Sequence, residues 1–133
     1  MARLIRQTMK ILMVIHWVAF AAFTCIFGYA GLYKVLKVPG MMEGMASMGF
    51  HETWTLAIGW AEVAGVAGLL ASLFYPPLRS VAVLWLLPFG IGAFTTHMSY
   101  HHVFPDYLNA MLVCALPVII LWTDRHFHLH ISF

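Results

Sequence analysis

Between Ile11 and Trp122 the sequence carries four long apolar runs, separated only by short breaks of proline, glycine and charge. An α-helix needs roughly 20 such residues to cross a hydrocarbon layer of about 30 Å. The first run covers about 11–36, interrupted by His16 and Lys34, and Pro39-Gly40 ends it. The second covers about 54–74 and stops at Pro76-Pro77. The third covers about 80–98, and the fourth about 107–123, ended by Asp124-Arg125. All four are continuously apolar rather than alternating, so they predict helices and not the strands of a β-barrel. Charge then decides the solvent. Only 9% of the 133 residues are charged and 62% are hydrophobic, whereas a soluble domain uses roughly 25% charged residues to cover its surface. The expectation is an all-α membrane protein: one domain over 1–133, an antiparallel bundle of four transmembrane helices. Short connections make successive helices antiparallel neighbours. A soluble catalytic domain has no room.

The segment from about 39 to 53 holds Met41, Met42, Met45 and Met48 with Gly40, Gly44 and Gly49. It is too short to span and reads as an outer loop, with a short interfacial helix as an option. The basic start (Arg3, Arg6, Lys10) resembles a signal peptide's n-region. The apolar run behind it outlasts the usual stretch of about 7–15 residues and ends in no A-x-A site, so it reads as a retained span. Arg3, Arg6, Lys10, Arg79 and Arg125 fall on one side of a four-span topology, against Lys34 and Lys37 on the other. The excess places both termini in the cytoplasm. The net charge of +2 is small and its residues are scattered, which gives no footprint for nucleic acid. The partners implied are lipid and other membrane subunits or a second copy of the chain.

Helices in lipid pack through small residues that let backbones approach. Ala57, Ala61 and Gly65 recur at four-residue steps in the second run, with Ala64 and Gly68 on a neighbouring face; Gly90, Gly92 and Ala93 serve the third. Pro88 and Pro117 are expected to bend their helices.

Ionisable residues within the runs are the functional candidates, because a charge at a helix centre costs on the order of 2.5–3.5 kcal/mol even on the lenient insertion scale. Glu62 is the clearest, and nothing in its own run pairs with it. Lys34 and His97 have similar depth, so Lys34, Glu62 and His97 form one candidate polar cluster. Such a cluster is either an ion pair that fixes helix register or a site for a headgroup or a proton relay. A protonated, silent glutamate is the third reading.

His97, His101 and His102 form an H-x-x-x-H-H pattern that puts His97 and His101 on one helix face, a workable two-ligand geometry for a metal. His51 and Glu52 lie on the same side. Against this, the third helix is able to end before His101, and interfacial histidines are common. The terminal His126-x-His128-x-His130 lacks a rigid frame. His16 fits a haem or quinone ligand but reads better as a satisfied bundle histidine. Cys25 and Cys114 share a depth in the first and fourth runs. A redox pair working on a quinone is conceivable there, yet no C-x-x-C is present, and small apolar filler is the preferred reading.

Three motifs carry a family resemblance. Phe27-Gly-Tyr-Ala-Gly-Leu-Tyr-Lys34 resembles the first-helix signature of DoxX-like membrane proteins. Ile58-Gly-Trp-Ala-Glu62-Val-Ala-Gly65 is similar to their second-helix I-G-x-x-E-x-x-G run, and Gly92-Ala-Phe-Thr-Thr-His97 to their third-helix ending. The resemblance covers about 20–123 in the correct order; His101-His102 and the His-rich tail are not part of it. It implies a four-helix membrane protein with recurrent polar positions at Lys34, Glu62 and His97. The wider group includes a membrane subunit of thiosulfate:quinone oxidoreductase, proteins linked to oxidative-stress complexes and an animal chaperone for receptor assembly. The function expected is a membrane subunit or accessory protein supporting a redox or quinone-linked process through a polar intramembrane pocket. Quinone is the cofactor candidate, and a bacterial cytoplasmic (inner) membrane the location. The alternative is a non-catalytic assembly factor or chaperone that docks partner helices. A small transporter fits the buried charge but lacks the internal repeat such proteins often show.

Overall fold

The computed structural model of the protein describes residues 1–99 and 104–124. Five helices follow in order: α1 (Ala2–Val35), α2 (Pro39–Ser47), α3 (Glu52–Ala71), α4 (Leu78–Ser99) and α5 (Phe104–Thr123). No strand occurs among the described residues. Among the described residues, three stretches are long and apolar enough to cross a membrane: Ala2–Val35, Glu52–Ala71 and Leu78–His97. α5 adds a shorter apolar stretch, Ala110–Thr123.

α1 begins at Ala2, well before the run that starts near 11, because no proline or glycine between Arg3 and Lys10 stops a helix there. Its 34 residues extend about 51 Å at 1.5 Å per residue, more than a bilayer core needs. The first 15 residues are exposed on every face, and burial starts at His16. From there one stripe faces inward: His16, Ala19, Phe20, Phe23, Phe27, Gly31 and Lys34. Phe23 and Phe27 meet edge to face with centroids 5.0 Å apart, the arrangement that ring quadrupoles favour.

α1 ends in a tight reversal. Val38 N–H donates to Tyr33 O at 3.0 Å, and Lys37 takes the left-handed conformation (φ 54°) that such a C-terminal motif requires. Pro39 then opens α2, where its missing N–H costs nothing. The Met/Gly-rich segment expected as an outer loop is therefore largely helical, with Met45 buried against the rest.

α1 packs on α3 and α5, and α4 packs on the same two, closing a ring of contacts. Gly28 faces Val66 while Gly31 faces Glu62 and Val63, so α1 and α3 run antiparallel. Gly65 faces Leu86 and Gly68 faces Ala82, which sets α3 antiparallel to α4. The buried face of α3 is Thr55, Gly59, Glu62, Gly65 and Leu69. The alanine stripe read from the sequence is corrected here: Ala57 and Ala64 are exposed, and Ala61 only half-buried. Contact between backbones is close enough that glycine, not alanine, is needed. Pro117 is fully buried within α5, whereas Pro88 is on the outside of α4.

Candidate functional site

Two polar sites lie inside this apolar frame, one where the last turn of α1 meets the middle of α3 and one at the end where α1 becomes buried. At the first, Lys34 Nζ donates to Glu62 Oε2 at 3.0 Å and to Oε1 at 3.3 Å. Both residues are almost wholly shielded, Lys34 6% and Glu62 5% exposed. Glu62 stands at the middle of the 20-residue α3, deeper than a span starting near Trp54 implies. Its position is set by glycines. A Cβ on Gly59 would come within 2.6 Å of Lys34 Cβ, and one on Gly31 within 3.1 Å of Glu62 Cβ. The two backbones therefore approach at Gly31 and Gly59, and the ion pair closes directly beside that contact. Both carboxylate oxygens receive a donor, which is what a buried charge needs to be tolerated.

His97 belongs to the same candidate cluster by sequence. The Gly68–Ala82 contact makes Glu62 level with Pro88, so His97 begins roughly 13 Å further along α4 at 1.5 Å per residue. The structure brings Lys34 and Glu62 together, and His97 is half-buried nearer the end of its own helix.

The second site was only partly legible. His16 Nε2 lies 3.2 Å from Arg79 Nη1, and His16 Nδ1 lies 2.8 Å from Thr123 Oγ1. A guanidinium only donates, so Nε2 accepts and Nδ1 carries the ring proton. Nδ1–H then donates to Thr123 Oγ1, whose own hydroxyl donates to Ile119 O at 2.7 Å. Arg79 Nη1 is 3.8 Å from Asp124 Oδ1, and the guanidinium sits 4.8 Å from the Trp17 ring centre and 5.5 Å from that of Phe20. Cation–π attraction holds it there. His16 is thus a satisfied bundle histidine, as preferred. Arg79 and Asp124, read from the sequence only as a topology charge and a helix end, are its neighbours. The missed signal was two opposite charges and a histidine at one end of an antiparallel fold.

A cavity of about 620 Å³ opens beside this cluster, with His16, Arg79, Thr123 and Asp124 at its polar end. Met9, Leu12, Met13, Trp17, Leu73, Pro76 and Trp122 complete the wall.

Cys25 and Cys114 are both free thiols, Cys25 exposed and Cys114 half-buried. His51 is exposed just before α3. His101, His102 and the His126, His128 and His130 tail lie outside the described residues. Among the described residues, no three His, Cys, Asp or Glu side chains gather closely enough to hold a metal ion. Near His51, Lys37 and Glu52 form an exposed ion pair at 2.6 Å that ties the α1–α2 turn to α3.

The model of the DoxX-like family matches residues 18–120. The chain belongs to the DoxX-like family. No curated protein and no solved structure matches it. This DoxX-like protein carries the Lys34–Glu62 pair inside the matched stretch, together with His97 and both cysteines. His16, Thr123 and Asp124 fall outside it, so the second site is built largely from residues flanking the family match.

Proposed function

We propose that the protein crosses its membrane as four antiparallel helices, with both termini cytoplasmic, and serves as a subunit or accessory protein of a redox or quinone-linked process. Family membership supports the class, and the observation that carries the reading is the buried Lys34–Glu62 pair between the last turn of α1 and the middle of α3. A charge pair at such depth is costly and is retained for register or for function. In this reading Lys34, Glu62 and His97 line one polar track from mid-bundle towards the α2 side. α5 spans because its helix, at 20 residues, matches α3 in length. The orientation rests on free charge. With Lys34 and Arg79 tied up inside, the exposed basic residues among those described are Arg3, Arg6 and Lys10 at one end and Lys37 at the other, and the richer end belongs in the cytoplasm. The location proposed is a bacterial cytoplasmic membrane.

Two experiments test this. In a Cys25→Ala/Cys114→Ala background, Glu43→Cys is labelled by an impermeant thiol reagent from outside and Tyr75→Cys only from the cytoplasm; the reverse pattern inverts the topology. Purification in mild detergent followed by solvent extraction recovers a quinone or a redox partner from the native protein and loses it from Glu62→Gln at unchanged thermal stability. Equal loss of both would assign the pair to structure alone. One observation favours the second reading, an assembly factor. Residues 2–15 of α1 are exposed on all faces, with Leu4, Ile5, Ile11 and Val14 each more than half exposed. A stoichiometric protein partner with no small molecule would favour it.

A further inference from the structure

The part of α1 that outruns the bundle has a chemistry that neither polar site uses. Arg3, Arg6 and Lys10 follow the three- and four-residue steps that share one face of a helix. α1 runs unbroken from Ala2 to Val35, so they form one row on a continuous rod. All three are exposed, and none joins an ion pair among the described residues. Ile5, Met9 and Leu12 step instead onto the buried stripe that begins at His16, which puts charge and apolar bulk on different faces. The first acidic residue of the sequence is Glu43, in α2, beyond the opposite end of α1. Nothing on this helix neutralises the row.

The same steps lead from Lys10 down the outside of α1. Met13, Val14, Trp17, Val18 and Ala21 continue the row, all of them exposed, and together they line a shallow groove of about 380 Å³. Cations above an apolar trough on one helix face match a phospholipid with a negative headgroup. A zwitterionic headgroup brings its own cation to the row and gains less. The depths agree with this. With the hydrocarbon edge at Met13, Lys10 stands about 4.5 Å outside it by helical rise, within a headgroup layer roughly 5–7 Å deep. Arg6 and Arg3 follow at about 10 and 15 Å, and Trp17 lies close to the edge, where indole rings prefer to sit.

We propose that this face of α1 binds an anionic phospholipid, its phosphate held by Lys10 and Arg6 and one acyl chain lying in the groove from Met13 to Ala21. The site rests on the membrane crossing and not on the redox reading. The test places the full chain in lipid nanodiscs with phosphatidylglycerol or phosphatidylcholine, each carrying a diazirine along one acyl chain. The phosphatidylglycerol probe labels segment 13–21 at least about fivefold more than phosphatidylcholine, the factor for one cation near an anionic surface. The exposed face of α3 around Ala57 and Ala64 takes up both probes equally. High salt narrows the difference on α1. Lys10→Gln removes most of it, Arg6→Gln less and Arg3→Gln least, in order of distance from the hydrocarbon edge. Ala21→Trp fills the groove from an exposed position and lowers labelling of 13–21 without touching a charge. Lys37→Gln, at the other end of the helix, leaves the preference as it is. Equal labelling by both probes, the same preference on α3, a preference that survives Lys10→Gln with Arg6→Gln, or undiminished labelling in Ala21→Trp would overturn the proposal. So would efficient linkage of two copies through Val18→Cys in a Cys25→Ala/Cys114→Ala background, since a second copy would then cover the groove.

Discussion

The two polar sites of this protein solve the same problem in opposite ways. At Lys34–Glu62 the charges are matched one to one, both carboxylate oxygens are served, and glycines bring the helices into contact around them. At Arg79 the cation is shared between a histidine, a distant carboxylate and two aromatic faces, and a cavity adjoins it. The first is closed and fixes one register between α1 and α3. The second is left open on one side. Burial alone therefore does not tell the two apart; the cavity beside Arg79 does.

The sharpest way to break this contrast is Glu62→Leu. It leaves Lys34 buried without a counter-ion, and a loss of about 3–5 kcal/mol is expected, moderated if the lysine stem can reach an interface. Thermal unfolding in detergent measures it. The Lys34→Met/Glu62→Leu double variant should recover most of that loss, since a well-packed apolar pair substitutes for a buried ion pair at little cost. A double variant as unstable as the single would show that the pair does more than hold register.

Arg79→Met comes next, with a loss of about 1.5–3 kcal/mol expected for a hydrogen bond to a charged group. Arg79 and Asp124 stand 3.8 Å apart, beyond hydrogen-bond range, so the damage stays below that of Glu62→Leu. A larger loss at Arg79 would reverse the assignment of closed and open sites. Gly59→Ala pushes a methyl to 2.6 Å from Lys34 Cβ, and overpacking of this kind costs about 1–3 kcal/mol. Gly44→Ala, with nothing within 4 Å of its Cβ, serves as the silent control. The smallest effect belongs to Lys37→Ala. Its partner Glu52 is exposed, and such pairs contribute about 0.2–1 kcal/mol, a difference that vanishes in high salt.

Much of this was legible in the residues. Glu62 declared itself because a lone carboxylate in an apolar run has no cheap explanation, and Lys34 was its nearest match in depth and charge. His97 was grouped with them by the same depth argument, and the Gly68–Ala82 contact places it further along α4 than the level of Glu62. The alanine stripe failed for a related reason. Periodicity finds a face of small residues, but it cannot tell the face that touches another backbone from the one that meets lipid, because both are apolar.

Composition and run length alone determined that this chain is helical and belongs in a membrane, since too few charges exist to hydrate any other arrangement. They also singled out the costly carboxylate and its lysine. Only the tertiary structure decided that Gly31 and Gly59 seal that pair, and that Arg79, His16, Thr123 and Asp124, drawn from three helices and the residue just after α5, share one end beside a cavity. Such a site depends on register between helices. Register is fixed by side-chain contacts at distances of a few ångströms, which no pattern within a single segment contains.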